Sequence, residues 1–189
     1  MATVITPTGN QLLTGEEFAL TDVPDSYELV RGRILPMPPP NLNHGVVESN
    51  LHGPVYVYLQ THPLGRLVIG ESGIYTERDP DTVRGVDLYF ISHERLARRD
   101  KTKNYLTVAP DWITEVKSPS NTEAYIQEKL AEYLAINVRM VWLVDPEERC
   151  VHVVRSMTDI RTFNEGDTIT GEDVLPGFTL QVAKIFENL

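Results

Sequence analysis

The chain has 189 residues, 41% of them hydrophobic and 23% charged, a profile that suits one soluble globular core. No apolar run approaches the roughly 18 residues a bilayer span needs, and the first residues lack the basic flank and apolar centre of a secretory signal, so a cytoplasmic location is expected. A single cysteine, Cys150, excludes an intrachain disulfide and a Cys-based zinc cluster, while a net charge of −10 argues against strong non-specific binding to nucleic acid.

Residues 1–13 read as a loosely ordered segment and 14–189 as one domain. Thr14 can cap a short helix over 15–20. Residues 27–35 read as a tight hairpin around Arg31-Gly32. Asn43 is the expected cap of a helix to about residue 60, with Val47, Leu51, Val55 and Leu59 as its apolar stripe. Gly53-Pro54 predicts a kink or break inside it. Residues 66–77 and 85–92 read as strands joined through Asp79-Pro80-Asp81, and 111–117 as a further short strand. Ser120 or Asn121 caps a helix to about Ile136. Residues 139–144 and 149–155 form a hairpin at Asp145-Pro146, with Cys150 a small core residue in its second arm. A strand near 160–163 and a closing helix around 182–186 follow. Strands followed by helices indicate an α/β fold built on a mixed sheet.

Two words carry chemistry. In Ile113-Thr114-Glu115-Val116-Lys117, Glu115 and Lys117 stand two apart, so a strand puts both on one face. Charges in so apolar a strand cost desolvation, a cost sequences tolerate mainly where something binds. In Gly85-Val86-Asp87-Leu88-Tyr89-Phe90, Asp87 interrupts another apolar strand. If the two strands are neighbours, Asp87 and Glu115 converge with Lys117 beside them. Two hard oxygen ligands, with the Val116 backbone carbonyl and water, suit Mg²⁺ or Mn²⁺. Lys117 would orient or deprotonate a water. The plain alternative is a buried Glu–Lys ion pair and an unrelated strand aspartate.

The order of words resembles the putative restriction endonuclease family of the PD-(D/E)XK nuclease superfamily. The resemblance rests on Tyr27-Glu28-Leu29-Val30-Arg31-Gly32-Arg33, Met37-Pro38-Pro39-Pro40 followed by His44, and Asp87 in its apolar strand. It continues through Pro110-Asp111-Trp112-Ile113-Thr114-Glu115-Val116-Lys117-Ser118-Pro119-Ser120, Lys129 with Tyr133, Val141-Trp142-Leu143-Val144-Asp145-Pro146 and Leu175-Pro176-Gly177-Phe178. It implies a restriction-endonuclease-like core, a central mixed sheet flanked by helices, with a divalent metal at Asp87 and Glu115. It also implies a phosphodiester hydrolase acting on nucleic acid, DNA being the expected substrate, and by analogy a homodimer. Val86 stands where the family usually has proline.

Further candidates have competing readings. Glu28 matches a family acidic position and supplies a third carboxylate, or is an exposed hairpin charge. His44, Glu48 and His52 form one helical stripe expected to lie opposite the core. Of these, His44 matches the family. Lys129 and Tyr133, sharing a helix face with Tyr125, contact a phosphate or the carboxylates, or simply pack with a snorkelling lysine. Arg95, Arg98, Arg99, Lys101 and Lys103 form a phosphate-contacting arm or a solvated loop. The rival to an enzyme is a catalytically inactive module that kept the scaffold.

Overall fold

The computed structural model describes residues 11–21 and 27–189. Residues 1–10 of the expected N-terminal segment lie outside that range, while Leu13 is buried and its N–H donates to the Gly32 carbonyl. Thr14 caps helix α1 (Gly15–Phe18) through reciprocal bonds with Glu17. Strands β1 (Tyr27–Val30) and β2 (Arg33–Pro36) form the expected hairpin. Arg31 and Gly32 both take positive φ there, as a two-residue turn matched to strand twist requires.

Helix α2 (Leu42–Thr61) begins at Asn41, whose side chain accepts from the His44 N–H, and not at Asn43. Nor does it break at Gly53-Pro54. An internal proline costs about 3 kcal/mol. Val47, Leu51, Val55 and Leu59 lie on both sides of Pro54 and are all buried in one core. Burial of such side chains is worth roughly 1.5–3 kcal/mol each, so packing outweighs the lost hydrogen bond.

Next come β3 (Gly65–Glu77), β4 (Thr82–Ser92), the short helix α3 (His93–Ala97) and β5 (Trp112–Val116). Helix α4 (Glu123–Ala135) is capped by Thr122, not by Ser120 or Asn121, because the Thr122 hydroxyl accepts from the Tyr125 N–H. A meander of β6 (Met140–Asp145), β7 (Cys150–Ser156) and β8 (Asp159–Asn164) follows. Cys150 is buried in it. A small ladder of β9 (Thr168–Thr170) and β10 (Thr179–Gln181) leads to α5 (Val182–Ile185).

Among the described residues, eight strands form one sheet in the order β2-β1-β4-β5-β6-β7-β8, with β3 also paired to β4. β5 and β6 run parallel, with α4 as the crossover, and the other pairings are antiparallel. This is the expected mixed sheet flanked by helices. Period-two alternation divides its side chains. Leu88, Phe90, Trp112, Val116 and Trp142 face α2, whereas Tyr89, Ile91, Ile113 and Val141 face Ile126, Leu130 and Tyr133 of α4.

Val86 breaks the alternation. It packs with the α4-facing set and not with Leu88. The partner strand β3 carries an extra residue between Ile69 and Ser72, with Gly70 and Glu71 at positive φ. Such a bulge adds local twist and re-aims side chains. Asp87 sits at this irregularity.

Candidate metal and active site

The β4–β5 ladder runs through Phe90 with Trp112, Tyr89 with Ile113 and Leu88 with Thr114, and ends there. Beyond it, the Val116 N–H donates to Asp87 Oδ2 at 2.7 Å, so a side-chain carboxylate stands in for a backbone carbonyl. Asp87 is buried, and His44 Nε2 lies 3.3 Å from its Oδ2. One helical turn on, Glu48 Oε2 lies 3.9 Å from His44 Nδ1. His44, Glu48 and Asp87 each offer one ligand atom, all within 4.8 Å of one another.

His44 therefore does not face away from the core, as its stripe had suggested. The stripe 44–48–52 is offset from the buried stripe 47–51–55 by one residue, only about 100° around the helix. It lies beside the core face, not opposite it. His52 stays outside the cluster and stacks on Tyr56, with ring centroids 5.5 Å apart. Glu48 belongs to the cluster, so a solvated helix face does not describe it.

Glu115 leaves β5 toward α4. Its Oε1 accepts from the Tyr133 hydroxyl at 2.5 Å and its Oε2 from Lys129 Nζ at 2.8 Å. Lys129 and Tyr133 are four apart on α4, which places them on one face. Both are buried. Glu28 is no exposed hairpin charge: it is 3% exposed and accepts from Arg84 Nη1, the Gly85 N–H and the Tyr125 hydroxyl. It also lies 3.4 Å from Lys129 Nζ. Arg84 is fully buried and is gripped from its other side by Glu132 at 2.8 and 2.5 Å.

Lys117 lines the same cleft but takes a different partner. The strand ends at Val116, and the Lys117 ammonium donates to Asp145 Oδ2 at 2.8 Å, with a third of its side chain exposed. The amine that meets Glu115 is Lys129, fourteen positions later on the helix.

Burial pushes the Glu115 carboxyl up to about 7, and the Asp87 charge adds to that, although Lys129 and Tyr133 oppose it. Glu48 is likewise pushed up to about 7 by burial and by the charges of Asp87 and Glu71. Burial would lower His44, but Asp87, Glu48 and Glu115 together raise it. In Glu28, burial is outweighed by Lys129 and Arg84, which hold its carboxyl low. Buried carboxylates set close to one another are costly to ionise, and a bound cation would offset that cost. His44 Nδ1 is buried and has no hydrogen-bond partner. Imidazole nitrogen with two carboxylates is a donor set that divalent transition ions and Mn²⁺ accept. The residues present thus fit a divalent metal.

His44, Asp87, Glu115, Glu28, Lys117 and Lys129 line one cleft of about 850 Å³, counting the part open to solvent. Tyr27, Met37, Pro38, Pro40 and Tyr125 line it as well. The basic segment is not part of it. Arg95 donates to the carbonyls of Ala109, Pro110 and Asn137 and lies 3.3 Å from Asp111 Oδ1. Arg98 pairs with Glu94, and Lys103 pairs with Glu16 at 2.6 Å. This segment begins beyond Ser92, five residues or roughly 17 Å along the strand from Asp87.

A family model, Uma2, described as putative restriction endonuclease, matches residues 16–183. No curated protein matches the chain. Among solved structures, a putative nuclease belonging to DUF820 from Anabaena variabilis ATCC 29413 superimposes with a TM-score of 0.77 at 21% identity. The match covers 92% of this chain and 97% of that one, and so shows a common fold.

Proposed function

The chain belongs to the Uma2 family of restriction-endonuclease-like proteins, and on that premise we propose that it is a nuclease that hydrolyses phosphodiester bonds in DNA with Mg²⁺ or Mn²⁺. The observation that carries this reading is the meeting of His44, Glu48 and Asp87 within 4.8 Å, with His44 and Asp87 lining the same cleft as Glu115 and Lys129.

His44, Glu48 and Asp87 would hold the ion. The Val116 carbonyl would join them, since an extended residue points its C=O to the same side as the N–H that reaches Asp87. When bound, the metal would polarise a phosphoryl oxygen and acidify a water. Glu115, expected as the second carboxylate ligand, has both oxygens engaged by Lys129 and Tyr133 and adds its charge beside the ion. Lys129 Nζ, held against Glu115, offsets negative charge as it develops and orients the attacking water. Tyr133 fixes the other Glu115 oxygen. Glu28 positions Lys129 and Tyr125. Lys117 lies at the rim, where it would meet a phosphate oxygen of the substrate. A cytoplasmic homodimer, with residues 14–189 as one domain, completes the reading.

A second reading, an inactive module on the same scaffold, draws on the net charge of −10 and on the engagement of Lys117 by Asp145. Calorimetric titration with Mn²⁺, paired with a cleavage assay on labelled DNA, separates the two. We expect the wild type to bind Mn²⁺ and cleave, and Asp87→Asn to lose both while keeping its circular dichroism spectrum. Absence of Mn²⁺ uptake by the wild type would refute the nuclease reading.

A further inference from the structure

The cleft joins an acidic floor to an uncharged wall and offers little free positive charge. Tyr27, Met37, Pro38, Pro40 and Tyr125 make the wall. Tyr125 is fixed in place: its hydroxyl donates to Glu28 Oε2 at 2.9 Å and lies 3.6 Å from Met37 Sδ. The cations of this region are already paired. Lys129 is bound to Glu115, Lys117 to Asp145 and Arg84 to Glu28 and Glu132, while Arg31 lies 3.3 Å from Glu128. Around the Asp87 floor the remaining acidic lining is Glu28, Glu71 and Glu115.

Duplex DNA is held by neutralising many phosphates with lysine and arginine. This cleft has too few unpaired cations for that, and Glu71 at its edge repels flanking phosphates. A rigid tyrosine, prolines and a thioether suit the flat, apolar faces of a base. Ser118 and Ser120, whose hydroxyls lie 3.1 Å apart on the same lining, can donate to one phosphate without adding charge.

We propose that the cleft takes one nucleoside of a single-stranded chain end or short oligonucleotide, with its base against Met37, Pro38 and Tyr125 and its phosphate on the acidic floor. Intact duplex is not its substrate. This rests on the nuclease reading and narrows it to a substrate class.

The test is binding by the full chain with Mn²⁺ present. The probes are a phosphorothioate single strand of about twelve nucleotides and the blunt duplex of the same sequence, across a salt series. We expect the single strand to bind about tenfold more tightly than the duplex, with a slope of log K against log salt of about −1 to −2. Met37→Ala should weaken that binding about fivefold and leave Mn²⁺ affinity unchanged, because stacking is lost and the ligand set is not. Equal or tighter binding of duplex, a slope of about −5 or steeper, or an unaltered Met37→Ala would overturn the proposal. None of these outcomes touches the nuclease reading, which stands or falls on Mn²⁺ uptake and cleavage.

Discussion

Lys129 Nζ lies 2.8 Å from Glu115 Oε2, while Lys117, two residues after that glutamate, gives its ammonium to Asp145 at the same distance. Both lysines line one cleft, yet only Lys129 is buried against the acidic floor. The bond to Asp145 raises Lys117 and holds Asp145 low, so that pair stays charged at neutral pH.

Unequal losses follow for the two lysines. Lys129→Met should lower kcat/KM on labelled DNA by about 100-fold or more, because it removes the buried charge beside the proposed reacting centre. Lys117→Met should stay within about tenfold of wild type, since its ammonium is a third exposed and already paired. Circular dichroism would confirm that both variants fold. Similar losses in the two would show that Lys129 has no privileged place.

The metal-free protein should lose stability as pH rises. Glu48 and Glu115 titrate at about 7, above their ordinary 4.5, and His44 is raised above 6.5. Each therefore binds more protons in the fold than in the unfolded chain between those limits, so stability falls with rising pH. The contribution of the carboxylates is complete below about 4.5 and is lost as pH rises through about 7, and that of His44 is lost from about 6.5 upward. Glu28 and Asp145 are lowered groups and act only below this window. Scanning calorimetry between roughly pH 5 and pH 8 should show a falling Tm. Mn²⁺ should restore it most at the upper end, where its ligands are deprotonated. A Tm that climbs across the window without metal would contradict the assignment.

Arg84 separates two buried carboxylates, Glu28 and Glu132, and is itself fully buried. Breaking such a set by removing one partner leaves buried charge uncompensated, which costs about 3–5 kcal/mol. Arg84→Met should unfold in urea with a loss of that size, and adding Glu132→Gln should recover part of it. A loss under about 1 kcal/mol would mean that water already screens the set.

Local chemistry in the sequence was a good guide wherever neighbours decide the outcome. The Thr14 cap, the Arg31-Gly32 turn, the meander over residues 140–164 and the α4 stripe of Ile126 and Leu130 all follow from residues a few positions apart. The exceptions are long-range. Pro54 predicts a kink or break because its local cost is visible, whereas the core that keeps α2 continuous through it comes from distant strands. β9 and β10, three residues each, are too short to show a period. In the site, Asp87 and Glu115 stood out as charges in apolar strands. Glu48 did not, because a glutamate on a helix carries no such contrast. Lys117 was favoured over Lys129 by adjacency to Glu115, and only the crossover of α4 decides which amine arrives.

Asn50 lies on the helix that presents His44 and Glu48, and its Nδ2 donates to the carbonyls of Ile185 and Glu187 at 3.1 and 2.9 Å. Those carbonyls lie at and just beyond the C-terminus of α5, where helical partners run out. The helix that carries the proposed ligands is thus moored from behind by a segment 137 residues downstream of Asn50. Loosening that distant anchorage would slacken the grip on the proposed cation without altering any of its proposed ligands.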